Sequence, residues 1–257
     1  MKVISFGAGV NSIAMTIMLF KRGEIYPVVF ADTMAEHPET YCYMDYFEKE
    51  FMSKYKQKII KINPIITSEY YTKYNSKSLE QYCIDKKIIP FVTSNRYCSK
   101  GWKIEPFNKY IKKHCLDKKT NMAIKLIGFS YDEKHRAKNN QNDLYVVEKY
   151  PLIESGIGRR QCLDIIKNEG LNLPKKSRCF FCPYQEKEAW KNLYFNYPEL
   201  FKRAIVLEEI ATSKNNIITT LLPSGIRLRY LKETFQNQTD IFPDWNFEEL
   251  EPCICKL

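Results

Sequence analysis

The sequence predicts an α/β protein built on a doubly wound, mostly parallel sheet. In the first half of the chain, short apolar runs typical of buried strands alternate with longer stretches whose apolar residues recur at helical spacing. Parallel strands need a crossover connection, which is usually a helix. The alternation is therefore typical of a parallel sheet that is covered by helices on both faces.

Four strands and two helices can be placed before residue 130. The apolar runs at residues 2–6, 26–31, 58–62 and 123–129 predict the strands. A helix is expected to begin near Ser12, and a second is expected from residue 39 to about 54. Their apolar positions share one helical face each: Met15, Met18, Leu19 and Phe20 in the first, and Tyr41, Met44, Phe47 and Phe51 in the second.

The pattern changes after residue 150. Residues 158–168, 185–196 and 198–209 predict helices, and residues 174–184 form a loop rich in Cys and Pro. We therefore predict two regions: an α/β domain over residues 1–150, and a small helical, cysteine-rich region over residues 151–257.

Composition bounds the protein class. The 257 residues, 44% of them hydrophobic, suit one large domain with an appended subdomain. No apolar run approaches the length of a membrane span, and the N-terminus lacks the features of a signal peptide. We expect a cytoplasmic protein with no membrane partner. The nine cysteines then indicate thiols, metal ligands or catalysis rather than disulfides.

The chain carries a net charge of +10, which favours polyanionic partners such as tRNA or DNA. The same composition, rich in Lys, Asn, Ile and Tyr, is also typical of proteins from AT-rich genomes. Charge alone leaves both interpretations open.

A glycine-rich loop joins the first predicted strand to the first helix. It reads Ser-Phe-Gly-Ala-Gly-Val-Asn-Ser over residues 5–12. Small residues let backbone N–H groups close on a phosphate, and the start of the helix adds a favourable dipole. A glycine turn without a ligand is the alternative. The candidate binding residues are Ser5, Gly7, Ala8, Gly9, Asn11 and Ser12.

Three later loops add polar candidates. Asp32 ends the second strand, where it can bind a nucleoside or simply cap a helix. Lys100 and Lys103 lie in a basic segment, and Gly128 and Arg136 follow the fourth strand. The two lysines and Arg136 can pair with phosphates. For each lysine, the alternative is a solvated position on the surface.

These blocks, in this order, resemble the PP-loop ATP pyrophosphatases and phosphoadenosine-phosphosulfate (PAPS) reductases, and especially the PAPS reductase-like proteins of phages and mobile elements. Residues 5–12 are similar to the family's Ser-x-Ser-Gly-Gly-x-x-Ser, residues 32–40 to Asp-Thr-Gly-x-x-x-Pro-Glu-Thr, and residues 128–136 to Gly-x-x-x-x-Glu-x-x-Arg. The resemblance covers roughly residues 1–195. Asn11 stands where PP-loop enzymes usually carry Asp, and Val10 where reductases often carry Lys.

The resemblance implies a site for ATP and Mg²⁺. Residues 7–12 would hold the phosphates, and Asp32 would lie near the nucleoside, with Gly128 and Lys103 also contacting the nucleotide. Asn11, Lys100 and Arg136 would be the catalytic residues. Lys100 and Arg136, together with Lys103, would neutralise the developing phosphate charge.

The cysteines predict a metal centre. Cys179 and Cys182 form a Cys-x-x-Cys turn that ends in Pro, and two thiolates at this spacing can bind one metal or cluster. Cys98 and Cys162 are the candidates that complete a four-thiolate site. The resemblance favours a [4Fe–4S] cluster over Zn²⁺. Alternatives are a redox dithiol, Cys162 as a buried apolar residue, and completion of the site from the tail by Cys253 and Cys255.

The expected function is that of an adenine-nucleotide-binding enzyme. ATP would activate an acceptor by adenylation, and sulfur from a donor protein would then displace AMP, with tRNA or DNA as the acceptor. Two rivals remain. One is a sulfonucleotide reductase that uses Cys253 or Cys255. The other is a non-enzymatic nucleic-acid-binding module with a Zn-stabilised loop. The sequence does not specify the oligomeric state.

Overall fold

The protein is built on a five-stranded sheet in the order β3-β2-β1-β4-β5. The computed structural model describes residues 1–63, 78–90, 97–137, 143–215 and 219–237. Every pairing in the sheet is parallel, so the predicted α/β fold is confirmed. The strands are β1 (Lys2–Phe6), β2 (Val28–Ala31), β3 (Ile59–Ile62), β4 (Ala123–Ile127) and β5 (Val146–Lys149).

Helices connect these strands and continue beyond the last one. In the first part of the chain they are α1 (Val10–Lys21), α2 (Pro38–Glu50), α3 (Leu79–Lys86) and α4 (Glu105–His114). After β5 they are α5 (Pro151–Glu154), α6 (Arg159–Asn168), α7 (Lys187–Asn196), α8 (Pro198–Asn215) and α9 (Leu228–Asn237). Short 3₁₀ turns span Met52–Tyr55 and Tyr131–Arg136, and a π-helical turn spans Lys100–Ile104.

Helices cover both faces of the sheet because successive strand residues point to opposite sides. Ile4 and Phe6 belong to a core cluster shared with α1, α2 and α6. Val3 belongs to a cluster on the other face, where Phe107 and Ile111 of α4 pack. This arrangement is the predicted doubly wound sheet.

The strand order creates a crevice beside β1. The chain builds outward from β1 through β2 to β3, and then returns to add β4 and β5 on the other side of β1. Connections that leave neighbouring strands in opposite directions open a crevice at the carboxyl ends of those strands, which is where sheets of this kind bind ligands. The loops after β1 and β4 border that crevice.

A second core cluster lies outside the sheet. It joins α3 and Trp102 to the Cys-x-x-Cys turn and to α7, α8 and α9. Conversely, Leu152, Cys162 and Ile166 belong to the first cluster, with α1. The division at residue 150 remains a prediction about folding units, but the hydrophobic cores extend across it.

Several element boundaries differ from the predictions. The second strand begins at Val28, directly after Pro27, which has no N–H to give to a ladder. The helix expected to reach residue 54 ends at Glu50, and a 3₁₀ turn follows it. The helix expected to end at residue 209 continues to Asn215. Among the residues with described positions, no helix is both long and apolar enough for a membrane crossing.

Candidate nucleotide site

The loop between β1 and α1 borders the crevice and has an unusual backbone conformation. Ala8 has a left-handed conformation with a φ of 56°, and Gly9 is extended immediately before the helix. No side chain in the described part of the chain caps the first amides of α1. A Cβ placed on Gly7 would meet nothing within 4 Å. Unpaired N–H groups at a helix start, beside open space, can bind an anion.

Two predicted loop residues act within the protein itself. The Ser12 hydroxyl donates to the Gly9 carbonyl at 2.9 Å, so it closes the loop. Ser5 is a strand residue whose register partners are Val29 and Ile127. Their predicted contacts with the nucleotide remain predictions.

Gly128 lets β4 approach the start of α1. A Cβ at this position would lie 3.0 Å from the Cα and N atoms of Ser12. Backbone atoms cannot move aside as a flexible side chain can, so glycine is required here for packing. Its predicted role as a direct nucleotide contact remains a prediction.

Asn11 lies at the centre of a polar network. Its Nδ2 donates to Glu133 Oε2 at 2.7 Å, and its Oδ1 accepts from Arg159 Nη1 at 2.9 Å. Glu133 is buried, accepts from the Ser130 backbone N–H and hydroxyl, and forms an ion pair with Arg136. The network joins the loops after β1 and β4 to the start of α6.

Arg136 was predicted to be catalytic. Its guanidinium pairs with Glu133 and lies over the Phe129 ring, 4.3 Å from the ring centroid. Both contacts hold it within the loop after β4. Its catalytic role remains a prediction.

Asp32 organises the turn after β2. Its Oδ1 accepts from the Met34 N–H and from the Tyr41 hydroxyl, both at 2.7 Å. Burial, together with the hydrogen bond to Asp32, raises the pKa of Tyr41 above its usual range. Asp32 therefore shapes the edge of the crevice, and a direct nucleoside contact remains a prediction.

The two predicted lysines have different surroundings. Lys100 is exposed in the π-helical turn. Lys103 forms an ion pair with Glu36, with Nζ and Oε1 2.9 Å apart, and the Glu36 side chain is only 1% exposed. Lys103 thus neutralises a buried carboxylate beside the turn after β2.

The segment of residues 174–182 crosses the carboxyl edge of the sheet. Arg178 accepts at its carbonyl from the His37 N–H at 2.8 Å, and the Phe180 N–H donates to the Ala35 carbonyl at 3.0 Å. At the other loop, the Ser177 hydroxyl lies 3.3 Å from where a Cβ on Gly9 would be. The segment therefore contacts both loops that border the proposed nucleotide site.

Cys179 lies in this segment, where the segment contacts the turn after β2. Its Sγ lies 3.2 Å from Thr33 Oγ1 and 3.7 Å from Glu36 Oε1. Desolvation raises the pKa of the Cys179 thiol, and the negative charges of Glu36 and Cys98 raise it further. The positive charge of Lys103 and the hydrogen bond with the Thr33 hydroxyl lower it. Cys98 and Cys179 also pack against the second core cluster. The Cys182 N–H donates to the Cys179 carbonyl at 3.1 Å, which closes the turn.

Cys162 lies elsewhere. It has no exposed surface, belongs to the first core cluster, and burial raises its pKa to about 12. Within the described ranges, no three His, Cys, Asp or Glu side chains are arranged to hold a metal ion. The predicted set of Cys98, Cys162, Cys179 and Cys182 is therefore not assembled, because Cys162 packs as an apolar residue beneath α1. Cys253 and Cys255 lie outside the described residues.

A family comparison agrees with this architecture. The model of the phosphoadenosine phosphosulfate reductase domain matches residues 2–143, which is more than half of the chain. The chain belongs to the PAPS reductase domain family. The matched residues include the β1 loop, the turn after β2 and the loop after β4.

Two solved structures resemble this PAPS reductase family member at low sequence identity. The PAPS reductase from Candida auris, in a phosphate complex, is 12% identical with a TM-score of 0.47, and the match covers 67% of this chain and 74% of that one. The U34-tRNA thiolase NcsA from Methanococcus maripaludis, with its [4Fe-4S] cluster, is 14% identical with a TM-score of 0.43, and the match covers 96% and 83% of the two chains. No curated protein matches the chain.

Several residues of the site were not predicted. Glu133 and Arg159 hold Asn11, Ser177 borders Gly9, and Glu36 lies beside Cys179. Glu133 does fall within the block of residues 128–136 that resembles the family, and Ser177 lies just before the Cys-x-x-Cys turn. Arg159 has only a weak signal, because it begins a helix directly after Gly158.

Proposed function

We propose that this PAPS reductase-family protein is an enzyme that binds an adenine nucleotide with its phosphates on residues 7–12. The observation that carries the proposal is the uncapped start of α1, preceded by the left-handed Ala8 and bordering the crevice beside β1. The unpaired N–H groups of a helix start, together with the helix dipole, form a favourable site for anions. The family match over the same residues supports it.

We further propose that the nucleotide is used to modify a nucleic acid. In the adenylation route, an acceptor oxygen attacks the α-phosphorus of ATP, the bond to the β-phosphate breaks, and pyrophosphate leaves. A nucleophile, which we expect to be sulfur, then displaces AMP from the acceptor. The loop amides would stabilise negative charge on the phosphoryl oxygens. The net charge of +10 favours tRNA or DNA as the acceptor.

Sulfonucleotide reduction is the second candidate. It is favoured by Asn11, since an amide replaces the acid with which PP-loop enzymes are expected to hold a metal–pyrophosphate. The Cys179 thiol also lies at the carboxyl edge of the sheet, against the turn after β2. Neither route is assigned a metal cluster, because the described cysteines do not form a four-thiolate site.

Calorimetric titration with ATP and AMP tests the nucleotide site. Gly9→Val should abolish binding, because its side chain would enter the space between the loop and Ser177, where even a Cβ has a contact of 3.3 Å. Gly9→Ala should show a smaller loss. Both variants must melt as the wild type does. Equal affinity of Gly9→Val and the wild type would show that the loop is not the site.

A further inference from the structure

We propose that Arg159 binds the anionic group of the nucleotide directly, positioned by Asn11, and that the site accepts this group without a divalent cation. The proposal rests on the proposed function, because it concerns the same loop. Arg159 is thus a binding residue in addition to those of the loop. The ligand group is a phosphate or sulfate that carries no bound metal ion.

Arg159 is fixed beside the uncapped amides. It is the first residue of α6, and its backbone N–H donates to Asp132. Its Nη1 donates to Asn11 Oδ1 at 2.9 Å, which places the guanidinium next to the second residue of α1. Its Nε is buried, and no acceptor for it exists among the described residues. Arg159 as a whole is partly exposed, so we expect an oxyanion to reach its guanidinium through the terminal N–H groups, which are the donors that bind such anions.

Asn11 suits this position because an amide both donates and accepts. It donates to the Glu133 carboxylate at 2.7 Å and accepts from Arg159. An aspartate here would place two carboxylates at hydrogen-bond distance with no proton between them, and like charges this close repel each other. The surroundings of this loop therefore explain why Asn stands where Asp is usual.

The carboxylates near the loop are already engaged. Glu133 pairs with Arg136 and accepts from Asn11 and Ser130, and Asp132 accepts from the Arg159 backbone. Divalent cations such as Mg²⁺ are bound through carboxylate oxygens. A guanidinium beside the loop attracts an anion and repels a cation. The described charges thus favour direct anion binding, in contrast to the Mg²⁺ site that the sequence resemblance implies.

Calorimetry with the intact protein can test both parts of the proposal. PAPS and ATP are titrated separately, each once with EDTA and once with Mg²⁺, so that the sulfonucleotide and triphosphate sources are distinguished. At least one of them should bind in EDTA with an affinity within about twofold of that in Mg²⁺. Arg159→Ala should weaken this binding at least about tenfold, and Arg159→Lys should recover only part of it. Arg160→Ala is the matched control, since Arg160 is the exposed neighbour, and it should bind as the wild type does.

A double-mutant cycle tests the positioning role of Asn11. Asn11→Asp should weaken binding in EDTA, and adding Glu133→Gln should restore it, because the glutamine amide can donate to the new carboxylate. A structural defect alone would not show this rescue.

The outcomes separate the two proposals. Nucleotide binding that requires Mg²⁺, or an Arg159→Ala variant that binds as the wild type does, overturns this inference and leaves the nucleotide site intact. Absence of rescue in the double variant overturns the positioning role of Asn11. Absence of nucleotide binding to the wild type in both buffers overturns the proposed function itself.

Discussion

Ala8 shows how a single residue fixes the conformation of the loop between β1 and α1. An L-residue in the left-handed region costs roughly 1 kcal/mol relative to its favoured conformation. Ala8 adopts this conformation while its side chain is 1% exposed, inside the first core cluster. The buried methyl group anchors the loop, and the backbone around it turns outward. Glycine would relieve the strain but would remove the anchor.

The buried state of Cys162 leads to a prediction about thiol reactivity. The thiolate is the reactive form, and with a pKa of about 12 only about one Cys162 thiol in 10⁴ is ionised at pH 8. The residue is also inaccessible in the first core cluster. Native protein treated with iodoacetamide at pH 8 should therefore be alkylated at the exposed Cys42 while Cys162 stays unmodified. Mass spectrometry of peptides measures both sites.

Denatured protein is the control for this experiment. In urea, Cys162 should react as Cys42 does, because both its burial and its raised pKa depend on the fold. Rapid alkylation of Cys162 in the native protein would contradict its placement beneath α1, and it would reopen its role as a metal ligand.

At the residue scale, the sequence identifies side chains that follow a strand directly. Ala8 and Asp32 were found this way, because a strand end and a glycine or acidic turn are adjacent in the chain. The partners of Asn11 could not be found locally. Glu133 lies 122 residues away and Arg159 lies 148 residues away. Only the close approach of β4 and α6 to α1 creates this network.

At the scale of elements, β5 was not predicted from the sequence because it is short and polar. Its four residues end in Glu148 and Lys149. Glu148 faces Lys125 of β4, with Nζ and Oε1 3.4 Å apart, and Lys125 is only 6% exposed. Desolvation lowers the pKa of Lys125, and Glu148 opposes that effect. The cross-strand ion pair thus stabilises two charged residues within the sheet. A search for apolar runs does not detect a strand of this kind.

A buried carboxylate on α8 holds the C-terminal helices together. Glu208 is 1% exposed; its Oε1 accepts from the Leu221 N–H at 2.7 Å, and its Oε2 accepts from the Leu228 N–H at 2.8 Å. Leu228 is the first residue of α9, so one side chain satisfies a helix start and the turn before it. Burial raises the pKa of Glu208.

Glu208→Gln should therefore destabilise the protein by about 1–3 kcal/mol. Glutamine has one acceptor oxygen, so its amide group would face one of the two N–H donors and leave that donor unpaired. Urea denaturation measures the free energy of unfolding. Glu209→Gln, at the exposed neighbouring position, is the matched control and should change it by less than about 0.5 kcal/mol. Equal stability of the two variants would show that Glu208 does not hold the turn.

At the scale of the whole molecule, the alternating strand and helix pattern was enough to predict the sheet, but not the second core cluster. That cluster combines Trp102 and α3 with the aromatic residues Phe180 and Phe181 and with the last three helices. Each of these segments has an ordinary amphipathic or loop pattern. Their contact depends on the segment of residues 174–182 crossing the carboxyl edge, which is a tertiary event with no local signal.

The distribution of exposed bases allows the nucleic-acid proposal to be tested by position. Lys100 and Lys134 are exposed on turns near the carboxyl edge of the sheet. Lys113 is also exposed, but it lies in the last turn of α4, which leads into the amino end of β4 at the opposite edge. We expect an acceptor at the proposed nucleotide site to contact Lys100 and Lys134 rather than Lys113.

We expect tRNA or DNA to bind with an affinity that falls steeply with salt, because each phosphate neutralised by a base releases condensed counterions. The logarithm of the binding constant should decrease with the logarithm of the salt concentration by about 0.9 per contacted phosphate on a duplex and about 0.7 on a single strand.

Lys134→Glu should weaken binding and reduce this slope by about one contact. Lys113→Glu makes the same charge change at the far edge and should leave the slope unchanged. Fluorescence anisotropy over a salt series measures both. A flat salt response in the wild type would attribute the net charge of +10 to composition alone, whereas equal effects of the two variants would contradict an interface at the carboxyl edge.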